Sequence, residues 1–271
     1  MTDLRGRWAL ITGASSGFGA DFARELAGRG ANVVLVARRE EPMKALAAEV
    51  ESAHGVSTRV VAMDLARPDA PPALAEQLRA QGLAIDILVN NAGFGVYGPF
   101  LEIPWERERQ MLELDIVALV HMTKVFASDM AQRGSGWILQ VASIGAFQPT
   151  PTYASYSAAK SFVLSFGEAI AHELRPKGVR VCTVCPGVAA TEFLAVSGQK
   201  ATPYQRLMMM QSPAVVRSAV RALLRGRTSV TPGLGNAISA FSMRFTPRRL
   251  QAAIASAAMN VGGGGSGNVL A

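Results

Sequence analysis

After Glu192 the chain has no acidic residue, although it runs to 271 residues and carries 20 Asp and Glu in all. Residues 193–271 hold 9 of the 27 Lys and Arg, a net of +9; residues 1–192 hold the other 18 against all 20 acids, a net of −2. A near-neutral body with a basic C-terminal part predicts phosphate-bearing partners: a nucleotide cofactor, an acyl carrier or an anionic membrane surface. Cysteine is nearly missing, with only Cys182 and Cys185. Their C-x-x-C spacing suits a redox pair or half a zinc site. Residues 179–185 read as a buried strand, however, on which positions three apart point to opposite faces. Inert core thiols and a reducing, cytoplasmic location are therefore expected. The three histidines, His54, His121 and His172, are scattered, so no metal site is expected. There is no run of 18 apolar residues, hence no expected membrane-spanning helix. Residues 1–7 are polar and unlike a secretory leader. No zinc finger or aromatic-and-basic repeat points to nucleic acid.

A hydrophobic content of 49% supplies one large domain with a full core. Residues 7–12 are an apolar run between glycines and read as a buried strand. Gly13-Ala-Ser15-Ser16-Gly17-Phe18-Gly19 follows, and helical periodicity through Phe22 and Leu26 continues to about Gly30. Strand, glycine turn, helix is the setting of a phosphate-cradling loop. Glycines let the backbone approach a pyrophosphate, and the helix N-terminus supplies N–H donors. Residues 31–37 form the second strand, closed by Arg38 and Arg39. An acid at this strand end bonds ribose hydroxyls, whereas an arginine accepts a 2′-phosphate. Arg38 therefore predicts NADP(H) over NAD(H). An amphipathic helix over 40–53 leads to the third strand, 58–63, with Asp64 and Leu65 at its exit. The fourth strand, 85–90, leads into Asn91-Ala92-Gly93-Phe-Gly95. A long helical region over 104–130, a fifth strand over 136–143 ending in Ser143, a helix over 153–174 and a sixth strand over 179–185 complete the pattern. Six buried strands alternating with helices predict an α/β fold with a doubly wound parallel sheet. The residues singled out all lie at C-terminal strand ends, where such sheets bind ligands.

On the 153–174 helix, Tyr156 and Lys160 are four apart and share a face. A phenol has a reference pKa of about 10. An ammonium one turn away favours the phenolate and lowers that value, which suits proton transfer to a substrate oxygen. Phe162 and Phe166, on the opposite face, are expected to anchor the helix in a core.

Taken together, Thr12-Gly13-Ala-Ser-Ser-Gly17-Phe-Gly19, Asn90-Asn91-Ala92-Gly93, Ser143, Tyr156-Ser-Ala-Ala-Lys160 and Pro186-Gly187 with Thr191 resemble the short-chain dehydrogenase/reductase family over about residues 5–195. The resemblance implies a Rossmann-like domain and direct hydride transfer between a nicotinamide and a carbonyl carbon. Gly13, Gly17 and Gly19 would line the pyrophosphate, with Ser15, Ser16 and Phe18 in the same turn. Asn91, Ala92 and Gly93 would support the adenosine side, and Asp64 and Leu65 would flank the adenine. Pro186, Gly187, Val188 and Thr191 would hold the nicotinamide carboxamide. Ser143 would bond the substrate oxygen, Tyr156 would move the proton, and Lys160 would bind the nicotinamide ribose and tune Tyr156. A homodimer or homotetramer is implied as well. One position departs from the pattern. The family usually has an asparagine where this chain has Asp115, and no asparagine lies between Asn91 and Asn236. A carboxylate there adds negative charge near Lys160, predicting a raised Tyr156 pKa and a more alkaline optimum.

By the same resemblance residues 192–211, with Phe193, Leu194, Tyr204, Leu207 and Met208 to Met210, form a substrate lid; ordinary helix packing is the alternative. Phe94, Phe147, Tyr153 and Phe193 are candidates for an apolar pocket. With no acid in the lid beyond Glu192, the expected substrate is an uncharged or anionic hydrophobic carbonyl compound or alcohol, such as an acyl chain, sterol or retinoid-like ketone. Residues 212–226 read as a basic amphipathic helix. Residues 234–259 are apolar with Arg244, Arg248 and Arg249 and are broken at Pro247. They fit either a membrane interface or packing on the body or a partner subunit. The expected organisation is a domain over 1–233 with its lid near 190–226, a helical extension over 234–261 and a flexible glycine-rich end over 262–271. A nucleotide-binding scaffold and a membrane-surface adaptor are the competing readings. The intact Ser143, Tyr156 and Lys160 favour an enzyme.

Overall fold

The computed structural model describes residues 3–189, 193–199 and 209–260. Short aliphatic, β-branched runs, too brief for helices and closed by glycine or polar turns, form the strands. These are β1 (Trp8–Thr12), β2 (Asn32–Ala37), β3 (Thr58–Ala62), β4 (Ile85–Asn90), β5 (Gly136–Val141), β6 (Val179–Val184) and β7 (Ser229–Val230). Among the described residues they form one sheet in the order β3-β2-β1-β4-β5-β6-β7. Every pairing is parallel. The seventh strand adds to the six expected. Two residues carry no periodicity to read, and β7 exists only through pairing of Thr183 with Ser229 and Val184 with Val230.

The helices are α1 (Gly17–Ala27), α2 (Glu40–His54), α3 (Ala70–Ala80), α4 (Trp105–Leu112), α5 (Leu119–Gln132), α6 (Ala154–Leu174), α7 (Phe193–Ser197), α8 (Ser212–Leu224), α9 (Leu234–Ser242) and α10 (Arg248–Asn260). On one side of the sheet, Phe22, Leu26, Met43, Val50, Val216 and Val220 from α1, α2 and α8 cover Ile11, Val33 and Leu35. On the other, Leu74, Leu78, Met122, Phe126 and Ala171 from α3, α5 and α6 cover Leu10, Val34 and Leu88. Neighbouring strand residues thus feed opposite cores, which is why the strands read as continuous apolar runs rather than alternating ones. Each of the Val, Leu, Ile, Met and Phe side chains among them contributes about 1.5–3 kcal/mol on burial. Cys182 belongs to the first core and Cys185 to a small third cluster with Val163. Both thiols are free and buried, and burial pushes each up to about 12.

The anchoring of α6 corrects one expectation. Phe162 is 42% exposed and stacks on Phe166 at 5.8 Å instead of entering the core, whereas Phe166 packs against the cluster around Val163 as expected. The buried face consists of Ser157, Ala159, Lys160, Val163, Gly167 and Ala171. A Cβ on Gly167 would overlap Thr183 Oγ1 of β6, so on this face the helix lies against the sheet with room for small side chains only.

Strand order reverses between β1 and β4. The segments leaving these strands diverge to opposite faces and open a crevice at the C-terminal edge of the sheet.

Candidate active site

A cavity of about 440 Å³ follows this crevice. Gly13, Ser15, Ser16, Gly17, Phe18, Arg38 and Arg39 line one end, and Asp64 and Leu65 flank it. Asn91, Ala92, Gly93, Ser143, Tyr156, Lys160, Pro186, Gly187 and Val188 line the middle. Phe94, Arg107, Tyr153, Phe193, Val196 and Gln199 line the far end.

The first end is held open by a knot centred on Thr12. Its hydroxyl donates to Val89 O (3.2 Å) and accepts from the backbone N–H of Asn91 and Ala92, each at 2.9 Å. The Asn91 amide donates back to Thr12 O at 2.9 Å. The ends of β1 and β4 are thereby tied together, and Asn91 is chiefly a brace for the turn. Gly13 has φ +66°, and a Cβ there would sit 2.8 Å from Asn91 Nδ2. Gly17, with φ 53°, then opens α1. Ser16 precedes α1 without capping it, so the first amides of the helix keep their donors for a ligand. Arg39 donates to Ser16 Oγ (2.9 Å) and to Ser15 Oγ (3.3 Å). Gly19 does not line the cavity: it is buried, and a Cβ on it would collide with Gly13 O. Its role is close packing of α1 against the turn.

The middle of the cavity gathers the ionisable groups. α4 and α5 are joined by a π-helical turn, Glu113–Ala118. The wider turn carries Asp115 inward, where it is fully buried. Asp115 Oδ1 accepts from Phe94 N (3.0 Å), and Oδ2 lies 2.9 Å from Lys160 Nζ. Gly93 leaves the space for this carboxylate, since a Cβ there would sit 2.7 Å from Oδ1. Lys160 Nζ also donates to Val141 O (3.2 Å) and lies 5.6 Å from the centre of the Tyr156 ring. Burial holds the Asp115 carboxyl above its ordinary value, against the pull of Lys160 and the Phe94 amide. Tyr156 is also held well above the ordinary phenol value, first by burial and then by the Asp115 charge, while the Ser143 hydroxyl pulls it down. This reverses the lowering expected from a neighbouring lysine alone: burial disfavours the phenolate, and the Asp115 charge opposes it further. The Tyr156 ring borders the cavity, so the burial effect is fullest once a ligand displaces water. Ser143 Oγ accepts from Gly145 N (3.1 Å), which leaves its proton available.

At the far end, Tyr97, Tyr153, Tyr156 and Phe193 form a chain of ring contacts with centroids 5.2–5.6 Å apart. The Tyr153 hydroxyl meets Ser197 Oγ and donates to Gln199 Oε1, each at 2.9 Å. Arg107 stacks over Phe94 at 4.3 Å. Thr152, just before α6, has φ 66°, a conformation that a β-branched residue adopts only at a cost.

The family profile described as short chain dehydrogenase matches residues 7–202. The chain belongs to the short-chain dehydrogenase/reductase family. A very-long-chain 3-oxoacyl-CoA reductase of Pyricularia oryzae is 38% identical over 221 residues, covering 80% of this chain and 64% of that protein. The chain thus spans under two thirds of that relative's length. A solved short-chain dehydrogenase from Sphingobium yanoikuyae in complex with NADPH is 32% identical, with a TM-score of 0.80 over 88% of this chain and 92% of that one. A solved 7beta-hydroxysteroid dehydrogenase is 27% identical, with a TM-score of 0.84 over 94% and 99%.

Of the site residues expected in this dehydrogenase/reductase, all but Gly19 and Thr191 line the one cavity. Thr191 lies outside the described residues, as do Tyr204, Leu207 and Met208 of the expected lid. Phe147 does not join the apolar pocket and packs instead against the cluster around Val163. Sequence reasoning missed Thr12 as the hub, Arg39 as the brace of the glycine turn, and Arg107. It also missed Asn236 of α9, which is buried against Gly187 and donates to Pro232 O (3.1 Å). A threonine immediately before the glycine turn was the available signal for the first of these. Nothing near Asn236 in sequence marks it.

Proposed function

We propose that this chain is an NADP(H)-dependent oxidoreductase interconverting a bulky hydrophobic ketone and its secondary alcohol. The observation that carries the proposal is one continuous cavity, with an arginine-flanked glycine turn at one end and Ser143, Tyr156 and Lys160 on its wall. The donor set fits a dinucleotide: uncapped helix amides and a turn that tolerates no Cβ at Gly13 for a pyrophosphate, with two arginines and two serine hydroxyls beside it. Bound there, a nicotinamide dinucleotide would supply or take the hydride at the substrate carbonyl carbon. Ser143 donates its hydroxyl hydrogen to the substrate oxygen. Tyr156 gives that oxygen its phenolic proton in reduction and takes one back in oxidation. Lys160, held between Asp115 and Val141 O, keeps a positive charge beside the ring when the phenolate forms. The chain of aromatic rings gives the substrate an apolar wall. A large hydrophobic substrate agrees with the fungal relative, a very-long-chain 3-oxoacyl-CoA reductase, and with the 7beta-hydroxysteroid dehydrogenase of similar fold.

The preference for the phosphorylated dinucleotide rests on Arg38 and Arg39 where an NAD-selective site would place an acid. Fluorescence titration is expected to show NADPH binding about tenfold or more tighter than NADH, the order of a charge-assisted bond. Arg38→Ala should remove most of that difference. Arg39→Ala should weaken both nucleotides, because it also frees Ser15 and Ser16. Equal affinity for the two nucleotides in the unaltered protein would rule out the arginine assignment.

A peripheral bilayer contact completes the proposal. Leu234, Ile238, Phe241 and Phe245 are 57–80% exposed and recur at helical spacing along α9 and the turn after it. Arg244 stacks on Phe241 at 5.6 Å, with Arg248 and Arg249 close behind in sequence. Apolar side chains fringed by arginines fit an anionic lipid interface. No helix among the described residues is long and apolar enough to cross a membrane. Full-length protein should float with phosphatidylserine vesicles, and Phe241→Ser with Phe245→Ser should abolish flotation. Undiminished flotation of that variant would remove α9 as the anchor.

A further inference from the structure

We infer that α8 and the turn after it form a second anion-binding site, which takes clustered phosphate groups. A groove of about 410 Å³ lies between α8 and the edge strand β7, lined by Arg217, Ser218, Arg221, Arg225, Arg227 and Val230 among others. It shares no residue with the cavity described above. Arg217, Arg221 and Arg225 recur every four residues and so form one stripe. Arg227 approaches from the chain that enters β7. All four are exposed, and none makes an ion pair or side-chain hydrogen bond with the described residues.

Several other arginines do have carboxylate partners. Arg24, Arg29, Arg67, Arg79 and Arg109 each meet a carboxylate within 3.1 Å. No acid lines the groove; the nearby Glu168 accepts from Ser229 Oγ (2.8 Å). Favourable placement at a helix C-terminus explains Arg221 and Arg225. It does not explain Arg217, a turn earlier, or Arg227, beyond the helix. Four uncompensated guanidiniums around one concavity repel each other until an anion enters. Their planar forks suit phosphate oxygens, and the number of cations suits two or more phosphates. The volume is that of a small-molecule site. Such phosphates can come from a soluble phosphorylated metabolite or from lipid headgroups at a bilayer.

The test uses full-length protein saturated with NADPH, so that the dinucleotide cavity is blocked. Calorimetric titration with pyrophosphate at low salt should show binding that weakens as salt rises. Arg221→Gln with Arg225→Gln should weaken it about tenfold or more, the loss of charge-assisted bonds, with NADPH affinity and circular dichroism unchanged. A parallel arm measures flotation with phosphatidic acid vesicles. Vesicle binding that depends on the same arginines, without pyrophosphate binding, assigns the phosphates to a bilayer. Equal binding by variant and unaltered protein, or binding of neither probe, overturns the site.

Discussion

Tyr156→Phe is expected to lower turnover by about two to four powers of ten while NADPH affinity survives. The substitution deletes one oxygen and keeps the ring that contacts Tyr153 and Phe193 at 5.6 and 5.3 Å. Lys160, Asp115 and Ser143 stay in place, so the loss reports the proton and not the architecture. Oxidation of NADPH with a bulky aryl ketone, followed in a single turnover, separates the chemical step from product release. A variant retaining more than about a tenth of the activity would exclude Tyr156 as the proton donor. The same measurement separates an enzyme from a nucleotide-binding scaffold or a membrane adaptor, since neither of those uses the hydroxyl.

The second large effect concerns Asp115 and Lys160, 0% and 6% exposed and 2.9 Å apart. Asp115 raises the Tyr156 pKa. Asp115→Asn should therefore lower it, with the following signs. Alcohol oxidation needs the phenolate, so its rise with pH should begin at lower pH in the variant. Ketone reduction needs the protonated phenol, so its fall at alkaline pH should also begin earlier. Each unit of pKa changes the phenolate fraction about tenfold below the midpoint. Unchanged pH–rate limbs would show that the carboxylate is not felt at Tyr156. Stability reads the pair independently. Lys160→Met strands a buried carboxylate and should cost about 3–5 kcal/mol, less whatever protonation of Asp115 recovers. Adding Asp115→Asn should return much of that loss, which denaturant unfolding would detect as strong non-additivity.

Much of this arrangement was legible in the sequence because its signals are local. Glycines between a strand and a helix, or a tyrosine and a lysine one turn apart, carry their geometry with them. Strands buried on both faces announce themselves as apolar runs, as residues 85–90 and 179–185 do. What escaped depends on contacts between distant segments. Strand β7 is defined only by its partner β6. Phe162 was misplaced because helix periodicity shows which residues share a face, but not that at Gly167 and Thr183 the helix lies against the sheet with room for small side chains only. The direction of the Tyr156 shift was legible from Asp115, but its larger cause, burial, depends on the packed fold, as does the π-helical turn that carries Asp115 inward.

The tie between Thr12 and Asn91 joins residues 79 apart in the chain. During synthesis the β1–β3 half is complete well before β4 exists, yet it holds only one wall of the crevice. Closing so long a loop is entropically slow, and its reward comes only when β4 docks beside β1. The groups on α6 and beyond β6 arrive later still. The cavity wall that joins Gly13 and Arg38 of the first half to Tyr156 and Lys160 of the second is therefore complete only when the whole winding has closed.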